Sequence, residues 1–142
     1  MMNGIEIQKL PWDNLKSVGV LQFKEYPSTI IYSDKKGNPY IVEWVDLDEK
    51  TNTDIYFIYQ TSVDNLKRYI DKIISHYDLM TTPEGGIVLK YYGELASAKS
   101  FMIISAESIP LKLLPTQGSF FNTKYSDDLD KINLCFNFLK HL

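Results

Sequence analysis

The chain has 142 residues, with 15 basic and 18 acidic side chains for a formal charge of −3, and a single cysteine. That length fits one domain over 1–142, able to bury about two thirds of its unfolded surface without a staple. The charges are dispersed, which argues against nucleic acid, since duplex binding draws on a dense Lys/Arg footprint. Cys135 lies in the apolar run LCFNFL, so a buried, inert thiol is expected and no internal disulfide can form.

MMNGIEIQKL lacks a basic region followed by a long apolar run, so no signal peptide is expected, and no apolar run approaches the roughly 18 residues of a membrane span. A cytoplasmic protein is the expectation, with no membrane contact. Residues 1–17 read as a loosely ordered N-terminal arm, with a short helical turn near Trp12 to Lys16. In GVLQFKEYP, Leu21 and Phe23 alternate with Gln22 and Lys24, the period of a strand with one wet face, and Pro27 ends it. STIIYS, the turn DKKGNP and YIVEWVDLD then make a hairpin over about 28–48, because Gly37 and Asn38 supply the positive φ of a tight turn.

A second turn, EKTNT, leads into DIYFIYQ, which is apolar on both faces: Ile55, Phe57 and Tyr59 on one, Tyr56 and Ile58 on the other. Such a strand belongs in the middle of a sheet, or under a cover on each side. TSVDNLKRYIDKIISHY predicts one helix with Val63, Leu66, Ile70, Ile73 and Tyr77 as its buried stripe and Thr61 or Ser62 as its cap. After the break TTPEGG, the runs GIVLKYYG and KSFMIIS predict two more strands, and IPLKLLP, held between Pro110 and Pro115, an extended edge or connector. SDDLDKINLCFNFLKHL predicts a closing helix capped by Ser126, with Leu129, Ile132, Phe136 and Leu139 inward. The sum is an α+β fold, a mainly antiparallel sheet of five to six strands with two helices packed on it.

The acids of WVDLDEKTNTDIYFIY are the first chemical question. Asp46-x-Asp48 opens like a calcium loop, but that pattern needs an oxygen ligand at Lys50, glycine at Thr51 and a glutamate at Phe57. Asp48-Glu49-Lys50 has the D-x-K form of metal-dependent nucleases, with Asp34 as an upstream acid. Those groups fall at opposite ends of one strand, whose rise of about 3.3 Å per residue sets them more than about 20 Å apart. The acids therefore read as a solvated hairpin tip. His76 and His141 are too few for a zinc set, and His76 reads as a polar helix terminus, where the dipole favours a cation. Glu84-Gly85-Gly86 matches no phosphate loop, and no serine lies in G-x-S-x-G. No cofactor and no metal is expected.

Aromatics are in surplus, 13% of the chain with ten tyrosines. Tyr32, Tyr40, Trp44, Tyr56, Tyr59, Tyr91 and Tyr92 fall on predicted strands, and some must face outward if Phe23, Phe57 and Phe101 face in. Base stacking would need a basic groove, whereas only Lys90 stands near them beside the acidic Glu43 and Asp46. Cross-strand packing or a protein contact accounts for them better.

The order FKEYPSTIIYS, KKGNPYIVEWVD, DIYFIYQTS and TTPEGG, over about 18–93, resembles a group of small uncharacterised bacterial α+β domains. In that group an acid precedes the first-turn proline, where this chain has Tyr26-Pro27-Ser28. The resemblance implies a bacterial or phage accessory protein and supplies no catalytic residues. The expected function is a non-enzymatic protein-interaction or accessory/regulatory domain, with Trp44 and Tyr56 as partner-binding residues toward a protein partner or a second copy of the chain. The alternatives are a metal-dependent phosphodiesterase or nuclease using Asp46, Asp48 and Lys50, and a small-ligand-binding domain with its pocket between helix 62–77 and the sheet.

Overall fold

The computed structural model describes residues 15–23, 27–93, 102–126 and 128–138. Six antiparallel strands form one sheet in chain order: β1 (Leu15–Phe23), β2 (Pro27–Asp34), β3 (Pro39–Asp48), β4 (Thr53–Gln60), β5 (Ile87–Tyr92) and β6 (Met102–Ser105). Among the described residues three α-helices accompany it, α1 (Val63–Ile70), α2 (His76–Thr81) and α3 (Leu129–Cys135). The fold is α+β, and among the described residues no helix is long and apolar enough to cross a membrane.

Both central hairpins follow from their turns. At the β2–β3 turn Gly37 takes φ 85°, while the Asp34 carboxylate accepts the backbone N–H groups of Lys36 and Asn38, each at 2.9 Å. This aspartate replaces ladder partners that the turning backbone has lost. At the β3–β4 turn the Asp48 carboxylate accepts the Lys50 N–H at 3.1 Å, and Asn52 takes φ 52°. The register sets Val42 opposite Ile58 and Trp44 opposite Tyr56, with an irregularity between Trp44 and Asp46.

The main core lies on one face, where Leu21, Ile31, Ile41, Phe57 and Val88 from the sheet meet Leu66 and Tyr69 of α1, Leu79 and Met80 of α2, Phe121, and Ile132 of α3. On the other face Val42, Ile58 and Tyr91 form a smaller cluster ringed by Tyr32, Tyr40 and Tyr56. The two-faced pattern of DIYFIYQ is thus the pattern of a central strand with an apolar cluster on each side.

The single helix predicted from Thr61 to Tyr77 is two helices. Ser62 caps α1 by accepting the Asn65 N–H at 2.9 Å, and the run stops at Lys72, which takes φ 64° with the Ile73 N–H returning to the Arg68 carbonyl. Ser75 then starts α2 with a reciprocal capping box to Asp78. The break redirects the apolar stripe: Leu66 and Tyr69 are buried, whereas Val63 and Ile73 are exposed.

Other local expectations change for similar reasons. IPLKLLP forms a 3₁₀ turn at Leu111–Leu113 instead of an extended edge. Phe23 is exposed, because register shifts around Gln22 interrupt the alternation that would have turned it inward. Ser126 does not cap α3; its hydroxyl donates to the Val20 carbonyl at 3.2 Å. Ile132 and Phe136 are buried as predicted, but the helix ends at Cys135, whose thiol is exposed. Leu15 to Ser17 belong to β1 and not to the arm, while the rest of the arm, Tyr26, Phe101, Leu139 and His141 lie outside the described residues.

The C-terminal segment is fastened to edge strand β1. Asp128 Oδ2 accepts the Val20 N–H at 2.7 Å, and a Cβ placed on Gly19 would lie 2.6 Å from Asp128 Cβ. The glycine is needed for this close approach, not for an unusual φ. Gly19→Ala is expected to destabilise the domain by about 1 to 3 kcal/mol through overpacking, and Asp128→Ala by about 1 kcal/mol through loss of the acceptor. Urea midpoints measure both. A Gly19→Ala midpoint equal to that of the wild type would show that residues near 128 do not rest on β1.

Candidate functional site

Glu43 stands in the middle of β3 among apolar neighbours and is 2% exposed. Strand alternation aims it at the helical face, between Val42 and Trp44, which point the other way. Thr29 of β2 donates its hydroxyl to Oε1 at 3.2 Å, Tyr59 of β4 donates to Oε2 at 2.8 Å, and the His76 Nε2 of α2 is hydrogen-bonded to Oε1. Three separate elements converge on one carboxylate.

His76 is held from its own side too. It is the first residue of α2 behind the Ser75 cap, its backbone N–H donates to the Ser119 carbonyl at 2.8 Å, and its ring lies 5.7 Å from that of Tyr69. Tyr69 in turn accepts from the Gln22 amide. Burial works to raise the Glu43 pKa, but the charge of His76 and the hydrogen bonds from His76, Tyr59 and Thr29 outweigh it and hold the carboxyl below its usual value. Burial, followed by the charge of Glu43, drives the Tyr59 pKa well up, so the phenol keeps its proton and remains a donor.

This pair borders a cleft of about 310 Å³ between the sheet, α2 and the loop after β6. Thr29, Glu43, His76, Met80, Lys112 and Ser119 are among its lining residues. The volume is at the small end for ligand sites. A larger groove of about 530 Å³ runs beside β1, the β2–β3 turn and Cys135, and holds no comparable buried polar group.

The residues singled out in the sequence lie elsewhere. Asp46 Oδ1 accepts the Leu47 N–H at 2.8 Å, and Asp48 bonds the Lys50 N–H, so both carboxylates organise their own tip. Among the described residues no group of three or more His, Cys, Asp and Glu is placed to hold a metal. Trp44 and Tyr56 are brought together as direct cross-strand neighbours. The Trp44 indole donates to Asp54 Oδ1 at 2.9 Å, and Tyr56 stacks on Tyr91 at 5.4 Å between centroids.

Sequence reasoning missed Glu43 and placed His76 at the wrong kind of helix end. The available signal was the acid itself: a charged residue at an inward position of PYIVEWVD, flanked by β-branched and aromatic residues, requires a buried partner.

His76→Ala would leave the carboxylate buried without its cation and is expected to cost on the order of 3 to 5 kcal/mol. Glu43→Gln is expected to cost less, because it removes the buried charge itself and leaves the imidazole, 17% exposed, within reach of water. The folded Glu43 pKa lies below the ordinary 4.5. Its stabilisation is therefore complete above that value and is lost as pH falls through the lower, folded one. Urea midpoints of wild type and Glu43→Gln, taken from about pH 7 to about pH 3, should differ most at the upper end and converge at the lower. A gap that widened on acidification would contradict an ionised Glu43. No family model, curated protein or solved structure matches this chain, so its function has to be read from the site itself.

Proposed function

We propose that the chain is a binding domain that takes a small polar ligand in the cleft bordered by Glu43 and His76. The observation that carries this reading is the buried carboxylate–imidazole pair at the cleft wall. Replacing a buried ion pair with apolar side chains of equal volume is often neutral or stabilising, so packing alone gives little reason to keep one. A pair beside a concave site instead orients a polar surface for whatever enters. With three donors on its oxygens Glu43 is held as a fixed anion, a positioning role. A set of water-soluble metabolites tested by thermal unfolding checks the reading. A true ligand at about 100 times its Kd adds about 2.7 kcal/mol, which for a chain of this size raises Tm by roughly 5 to 10 °C. The rise should vanish in His76→Asn. Equal shifts in both proteins, or none with any compound, would refute it.

A second reading attaches to the other face of the sheet, as a contact surface for a protein partner or a second copy of the chain. It is favoured by the Trp44–Tyr56 pair and by the side chains packed around Val42, Ile58 and Tyr91, which among the described residues are tyrosines, Leu89 and Ile103, a composition that suits protein better than nucleic acid. Trp44→Ala/Tyr56→Ala should abolish a stoichiometric partner in affinity purification, or halve the mass in sedimentation equilibrium. Wild type and double variant behaving alike in both would eliminate this surface.

A further inference from the structure

Resting on the ligand-binding reading of the Glu43–His76 cleft, we propose that its ligand carries an oxyanion, a carboxylate or phosphate group, received between His76 and Lys112. Among the described residues three ionisable side chains line the cleft: Glu43, His76 and Lys112. Glu43 is the only carboxylate among them, and its charge is already met by the His76 imidazole and two hydroxyls. The lone pairs of that carboxylate are therefore taken up within the fold. Lys112 is left over. Its side chain is exposed, on the turn Leu111–Leu113 at the cleft, and none of the salt bridges among the described residues engages it.

The remaining polar groups around the cleft belong to Gln22, Ser28, Thr29, Thr116 and Ser119, hydroxyls and an amide that add dipoles without adding negative charge. Ser28 and Thr29 already spend hydroxyl protons within the fold, on the Gln22 carbonyl and on Glu43. Lys112, Thr116 and Ser119 are lining residues too, all exposed and on one loop. A cationic ligand would meet Lys112 with no carboxylate besides Glu43 among the described lining residues to offset it. A neutral one would leave that charge unused. An oxyanion matches both the sign and the donors, and the size of the cleft restricts it to a small one.

The test is an amide-resolved NMR titration of the full chain at constant ionic strength, with sodium phosphate, sodium acetate and neutral ribose as probes. Wild type is compared with Lys112→Ala and with Lys50→Ala, a lysine in the distant β3–β4 turn. Saturable shifts at His76, Lys112 and Ser119 are expected with phosphate or acetate. The apparent Kd should rise at least about fivefold in Lys112→Ala and stay unchanged in Lys50→Ala. Which salt saturates first tells phosphate from carboxylate. Shifts with ribose and neither anion would overturn the oxyanion while leaving a ligand-binding cleft. Anion shifts equal in all three proteins would reduce the effect to general screening and overturn it too. Silence from every probe overturns the oxyanion, and the metabolite melts then decide separately whether the cleft binds anything.

Discussion

The interaction on which the arrangement depends is the contact of one buried carboxylate with three donors. Glu43 faces a layer built mainly from Leu, Ile, Phe, Met and Tyr. An ion there loses several kcal/mol of hydration, recovered only when its lone pairs are satisfied. The donors come from β2, β4 and α2, so satisfying the charge fixes where α2 sits against the strands. Apolar packing alone is non-directional and would tolerate α2 sliding along the sheet. A carboxylate with set donors does not tolerate it.

That contact also explains why α1 and α2 are separate. A continuous helix through Ile70 would carry His76 on whichever face the 100° per residue rotation dictated. The reversal at Lys72 and the fresh start at Ser75 free the second helix from that phase. No single residue between Asp71 and Ile74 forbids a helix, and the charged and apolar spacing runs straight through. What ends α1 is tertiary: Tyr69 is held against Phe121 and Gln22, and the capping box at Ser75 offers the chain an alternative start. Local periodicity could therefore give the helical stretch but not its break.

The strands were more legible, because their determinants are local. DKKGNP and EKTNT carry the glycine, asparagine and aspartate that their turns use, and the alternation in DIYFIYQ maps directly onto the two apolar clusters. The edge strand misled at Phe23, where bulges shift the alternation, and bulges leave no compositional mark. The tyrosine surplus divides in a way composition cannot reveal. Tyr59 and Tyr69 are buried on the helical face with their hydroxyls engaged by Glu43 and Gln22. Tyr91 is buried on the opposite face against Tyr56. Burying a phenol requires a partner for its hydroxyl, so part of the surplus follows from the polar network near the cleft.

The position of His76 sharpens this point. The first residue of a helix sits at the positive end of the dipole, which disfavours a charged imidazole, the reverse of the C-terminal placement suggested by reading one long helix. Two features offset it. Asp78, in the same first turn, accepts the Ser75 N–H at 3.1 Å and brings a negative charge to that end, and α2 has only six residues, so few peptide dipoles add up behind it. The remaining contact is with Glu43, which is shielded from water and held below the usual carboxyl pKa. The charge and hydrogen bond of His76 hold the carboxylate ionised against its burial. A carboxylate held ionised in this way is sensitive to any third charge brought into the adjoining cleft.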